Sequence, residues 1–133
     1  MLDGLSSALS GLAAISRRLE ASANNAANAN SYGSIPGSDA GVQRDAYQPV
    51  RVEQSSTADG GTATNTRYVS PPYVPVFDTG SALANSEGLV AAPNVDIAAE
   101  RIEQAGAGQS FEANLKSIEA ISAMVRKLYD LTE

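Results

Sequence analysis

The sequence predicts a mainly α protein with a small β or irregular middle: long N- and C-terminal helices forming a coiled-coil-like layer, with a short-stranded segment between them. Three observations predict it. All six prolines (Pro36, Pro49, Pro71, Pro72, Pro75 and Pro93) lie between Ser31 and Asn94, and a proline inside a helix removes a backbone donor and clashes with the preceding turn. The flanking stretches contain none and carry apolar residues at heptad spacing. The middle reads as short alternating runs broken by Gly, Pro and Asp. The 133 residues therefore divide into an N-terminal helix (1–30), a short-stranded and loop middle (31–93) and a C-terminal helix (94–133).

The first helix is expected from about Asp3 to about Asn28. Leu2, Leu5, Leu9, Leu12, Ser16, Leu19, Ala23 and Ala26 alternate spacings of three and four, an a/d seam held for more than three heptads. Ala8 and Ile15 widen the stripe. The seam is large at its start and small at its end, so close backbone approach is expected near Ala23 and Ala26. Residues 23–30 hold four asparagines, Asn24, Asn25, Asn28 and Asn30. Their amides compete with helical hydrogen bonds, so they suit a helix end, either satisfying its last carbonyls or adopting left-handed geometry. Tyr32-Gly33-Ser34-Ile35-Pro36-Gly37 then reads as a loop.

In the middle, 47–52, 64–69 and 73–77 are strand-like, the last confined by Pro75 to an edge or extended segment. Ser55 to Thr66, with Asp59-Gly60-Gly61, reads as a polar turn or mobile loop. Asp78-Thr79-Gly80 and Glu87-Gly88 read as turns. Pro93 fixes the approach to the last helix, and Asn94 or Asp96 caps it. That helix is expected to reach about Leu131, with an apolar stripe of Phe111, Leu115, Ile118, Ile121, Val125 and Leu128. Glu112–Lys116 and Arg126–Asp130 are spaced for ion pairs of about 0.3 kcal/mol each. Gly106 and Gly108 read either as a weak point or as close contact with a neighbouring backbone. The two junctions, near residues 28 and 96, are expected at similar heights, with the middle projecting outward from one end of a helical hairpin.

Composition narrows function. Hydrophobic content is 43%, but much of it is alanine, with no Trp and two Phe, so burial against other subunits is expected to complete the core. Net charge is −6: residues 1–30 are neutral and the other two segments share the deficit. Without a basic face, nucleic acid is not an expected partner, and direct membrane insertion is not expected either. The chain has no His and no Cys, which removes the commonest general base, the thiol nucleophile and the usual zinc ligands. No serine sits in a G-x-S-x-G context. Glu100 and Glu103 share a helical face but read as solvated surface charges. No catalytic role, metal or cofactor is expected.

Two stretches carry a resemblance. Leu5-Ser6-Ser7-Ala8-Leu9, followed by 22–31 with its asparagines, resembles the end of the first helix in bacterial flagellar axial (rod and hook) proteins. Gly88-Leu89-Val90, Pro93-Asn94-Val95-Asp96, Glu100 and Phe111-Glu112-Ala113-Asn114-Leu115 are similar to the C-terminal block of the same family. The likeness covers about 30 residues at the start and about 40 at the end, and the short length and the Pro-Asn-Val-Asp run are most like proximal-rod subunits. The resemblance implies a structural subunit of the flagellar basal-body rod. Such proteins are exported through the flagellar type III apparatus without a cleaved signal peptide and polymerise with helical symmetry in the periplasm-spanning rod. Copies of the chain and other rod subunits are the implied partners, and the seam and stripe residues named above the implied interface. A distal-rod or hook-like subunit is the nearest alternative. A small monomeric helical-hairpin binding module is the alternative from another class, and it would be stable and protease-resistant alone.

Overall fold

The computed structural model describes residues 2–131. Of the expectations above, the seam side chain of Leu2 and the chain ends at 1 and 132–133 lie outside what is described. Six elements follow in order: α1 (Leu2–Ala27), β1 (Val50–Ser56), β2 (Thr62–Tyr68), β3 (Tyr73–Phe77), β4 (Leu89–Pro93) and α2 (Ile97–Asp130). At 1.5 Å per residue the helices are about 40 and 50 Å long.

The helices form an antiparallel hairpin. Its register is read from contacts along its length: Asn25 and Ser22 meet Glu100, Arg18 meets Glu103, and a Cβ added at Gly11 or Gly4 would touch Asn114 or Ile121. Continuing that register, the last two turns of α2 run past Leu2. α2 starts where Asp96 accepts from the Ala98 and Ala99 amides at 2.9 and 3.1 Å, so Asp96 is the cap and Asn94 is not. Asn94 instead donates to the Pro71 carbonyl at 2.9 Å. α1 ends without a left-handed residue; among the described residues only glycines have positive φ. Asn28 does satisfy a terminal carbonyl, donating its amide to Asn24 O at 2.9 Å.

The strands form two separate antiparallel pairs, β1–β2 and β3–β4. The first corrects the expectation of a loop over 55–66. Val50 to Ser56 pair in full register with Tyr68 to Thr62, and only 57–61 turn. Alternation was hidden there because little of this hairpin is buried, so its outer face is polar except for Ala63 and its inner face is rich in Thr, Ser and Gln. Cross-strand neighbours Arg51 and Arg67 would repel, and Glu53, on the same face, pairs with Arg67 at 2.9 Å. The hairpin also does not project outward. It lies back along α1, where Ser10 Oγ accepts from Thr62 N at 3.0 Å and donates to Ser7 O.

β4 is the strand that sequence patterning missed, and Pro93 belongs to it, opposite Tyr73. Val90, Ala91, Ala92 and Pro93 are buried in succession, so no period-two signal exists, and alanine is a poor strand former. β3 pairs along one edge, and Gly33 bridges Ala91 along the other, with 2.9 Å hydrogen bonds in both directions. Gly33 is therefore more than a loop residue: a Cβ there would overlap the Arg44–Ala46 backbone, and only glycine admits that approach.

Candidate assembly interface

At about 100° per residue, α1 presents three faces. One, built from Gly4, Ala8, Gly11, Ile15, Arg18, Ser22 and Asn25, meets α2. A second, with Ser10, Ala14, Arg17 and Ala21, lies against the β1–β2 hairpin. The leucine seam lies on the third, about a quarter turn from the α2 contact. Leu9 is 52% exposed, Leu5, Leu12, Leu19 and Ala26 are half-buried, and Ala23 is exposed.

Within the chain, the tight contacts of α1 with α2 lie away from Ala23 and Ala26. They are at Gly11, where a Cβ would stand 3.1 Å from the Asn114 side-chain oxygen, and at Ser22, whose hydroxyl donates to the Glu100 carbonyl at 3.0 Å. Small residues let two helices approach to the lower end of the usual 8–10 Å range. The chain's own hairpin thus uses the glycine, alanine and polar side of α1 and leaves the leucines at its rim.

On α2, Phe111, Ile118, Ile121 and Val125 are half-buried on the side toward α1, while Leu115 and Leu128 stand largely exposed at its flanks. Neither Glu112–Lys116 nor Arg126–Asp130 closes; among the described residues the ion pairs are Arg18–Glu103 and Arg67–Glu53. Gly106 and Gly108 face open space in this chain: a Cβ at either would meet no atom within 4 Å.

Asn25 is the residue whose part sequence reasoning misjudged most. It is not a cap. It is 3% exposed, and its amide clamps three elements. Nδ2 donates to Val50 O at 2.8 Å and to Glu100 Oε1 at 2.7 Å, while Oδ1 accepts from Val50 N and Tyr47 OH, both at 3.0 Å. One side chain thus mimics a β rung to the first residue of β1 and holds α2 at the same time. The available signal was phase: residue 25 continues the row of positions 4, 8, 11, 15, 18 and 22 at alternating spacings of four and three. Asn24 and Asn30 are exposed, and their carbonyls close the turns that follow. Burial holds the Tyr47 phenol above its ordinary pKa, and the Glu100 carboxylate adds to the shift.

Glu100 and Glu103 are accordingly not free solvated charges. Both are partly buried and engaged, with Asn25 and Arg18 respectively. They line an open cleft of about 440 Å³ between α1, α2 and β1, with Arg51 and Val52 on its far wall. A carboxylate held by an arginine and another by an amide form no acid–base couple aimed into that space. Among the described residues no helix is long and apolar enough to cross a membrane.

The sequence that folds this way is similar to those of proteins of known name. The chain is 30% identical over 122 residues to the flagellar basal-body rod protein FlgC of Salmonella typhimurium, covering 92% of this chain and 90% of that one. It is 29% identical over the same length to FlgC of Escherichia coli O157:H7 and of Agrobacterium fabrum. The chain belongs to the FlgC family. No protein-family model matches it. The similarity to these FlgC proteins runs through the β middle as well as the two helices, which the terminal motifs alone did not reach.

Proposed function

We propose that this chain is a structural subunit of the flagellar basal-body rod, polymerising with helical symmetry through its terminal helices into the hollow drive shaft. The carrying observation is that a chain of the FlgC family leaves Leu9 on α1 and Ile102, Leu115, Met124, Leu128 and Leu131 along α2 exposed in its own fold, with the rest of the α1 leucines only half-buried. Apolar faces of this length on a small protein mark contact with other chains. A heterologous contact that does not close extends into a filament. In this reading segments 1–30 and 94–133 form the helical layer and 31–93 makes contacts outside it. The partners are copies of the chain, other rod subunits and, before assembly, the type III export apparatus. Nucleic acid, direct membrane insertion and catalysis have no part in it.

The test is genetic and biochemical. A strain lacking this gene should not swim, and a tagged copy should restore swimming and appear in purified basal bodies. Swimming by the deletion strain, or restored basal bodies without the tagged chain, would overturn the proposal. Replacing Leu12 with Asp should permit secretion but block rod assembly.

A further inference from the structure

We propose that α2 carries a built-in hinge at Gly106–Ser110, about which its far segment swings relative to the clamped start of the hairpin. The start of α2 is held by directional bonds. Ser22 and Asn25 donate to the Glu100 carbonyl and carboxylate at 3.0 and 2.7 Å, Arg18 pairs with Glu103, and Gln104 donates to Ser22 Oγ at 3.2 Å. Beyond Ala107 the contact with α1 changes in kind. Phe111, Ile118, Ile121 and Val125 are half-buried there, and apolar contact has no preferred direction. The first two turns of α2 are therefore fixed in angle, and the remainder lies on an apolar bed that admits more than one.

The junction between the two segments is where the helix is weakest. Residues 105–110 read Ala-Gly-Ala-Gly-Gln-Ser and hold both glycines of α2. Each glycine weakens a local helix about fivefold relative to alanine. The backbone carbonyls are contested as well. Ser110 Oγ donates to Gly106 O at 3.0 Å, and Asn114 Nδ2 donates to Ser110 O at 3.0 Å. Such bonds to the carbonyl four residues back share an acceptor with the helical ladder and bend helices. Sharp kinks concentrate at Gly/Ser pairs, and Gly106 and Ser110 are such a pair, one turn apart.

Ala107 is the fulcrum. It is 1% exposed and stands on the row that continues through Phe111 and Asn114 toward α1. Gly106 and Gly108 lie about 100° to either side of it, where a Cβ would meet no atom within 4 Å. Packing inside the chain therefore does not call for either glycine. A swing to one side, across the face of α1, makes one of those flanks concave, and glycine leaves no Cβ there to close against. About 35 Å of helix lies beyond Gly106, so a bend of about 20° moves its tip by about 12 Å. The hinge sets the angle at which the apolar open end is presented, while the polar closed end keeps its shape. It is a property of the single chain and does not depend on rod assembly.

The chain has no cysteine, so pairs of nitroxide labels on introduced cysteines report distances on a clean background. Ser6→Cys with Glu119→Cys spans the open end, and Ala23→Cys with Arg101→Cys spans the closed end; all four native side chains are exposed. Pulsed dipolar spectroscopy on the dilute full chain should give a distance distribution roughly twice as wide for the open pair as for the closed pair, as a hinge bend of about 20° requires. With Gly106→Ala and Gly108→Ala added, the open pair should narrow to the width of the closed pair, and the closed pair should not change. Equal widths in the chain with its glycines would overturn the hinge. So would an open pair that stays broad without them, because the motion would then lie in separation of the whole segment from α1. A Cβ at either position meets open space, so the double variant keeps its fold. Its amide exchange over 106–114 should slow about 25-fold, fivefold for each glycine. Unchanged exchange there would overturn the hinge as well.

Discussion

The two ends of the helical hairpin are built on opposite principles. At the closed end, where α1 finishes and α2 begins, Asn25, Ser22, Arg18, Glu100, Glu103 and Gln104 interlock through hydrogen bonds and an ion pair, and Asn25 and Ser22 are buried. At the open end, α2 runs past α1, and Leu9, Met124, Leu128 and Leu131 are about half or more exposed. The closed end is directional, because buried amides and carboxylates tolerate only partners in the right place. The open end is apolar and non-directional, ready for whatever chain covers it. One end makes the monomer a defined shape. The other leaves it incomplete.

The largest expected effect strikes the closed end. Asn25→Ala strands both backbone groups of Val50, the Tyr47 hydroxyl and a carboxylate oxygen of Glu100. It should cost about 3 kcal/mol, since an unsatisfied buried polar group costs about 1–3 kcal/mol. Chemical denaturation checks the loss, and amide exchange should show β1 released first. Unchanged stability would mean that the closed end is not held by its polar clamp.

Gly33→Ala comes next. Its Cβ would overlap the backbone of the 44–46 segment, and a cost of about 2 kcal/mol is expected from overpacking. The loss should appear in β3–β4 protection and leave the hairpin contacts of α1 with α2 in place. Spread of the damage to the open end would break the distinction between the two regions.

The open end should respond the other way round. Leu9→Asp or Leu128→Asp should alter the stability of the isolated chain by less than about 0.5 kcal/mol, as exposed substitutions do, yet abolish swimming. Severe destabilisation of the monomer would show that these leucines serve its own core.

The smallest effect is a titration. The folded-state pKa of Tyr47 is raised, by burial first and by Glu100 second. Its contribution to stability is thus fully present below the ordinary tyrosine pKa and is lost as pH rises through the folded value. Ultraviolet titration, compared with Tyr47→Phe, should find Tyr47 ionising above the ordinary tyrosine value. Glu100→Gln should reduce the elevation of Tyr47 without removing it, because burial is the larger cause. Full loss of the elevation would reverse that ranking.

The sequence alone determined the placement of the two helices, because proline exclusion and 3.6-residue periodicity are local properties that no distant contact needs to confirm. It also determined the Asp96 region as a helix start, and two terminal motifs were enough to reach the flagellar axial family. β1 and β2 were legible only in part. Their pairing is long-range and their faces are mostly polar, so the signal lay in a register that patterning does not contain. β4 was invisible, since consecutive buried small residues have no period. Which face of α1 meets α2 was decided by tertiary structure. Periodicity identified the leucines as an apolar stripe, but it could not say that Gly11, Ile15, Ser22 and Asn25 would take the intramolecular contact. That choice rests on close approach and on the matching of Asn25 to Val50 and Glu100. Such matches depend on three-dimensional geometry between residues 25 to 75 positions apart, and a one-dimensional pattern carries no record of it.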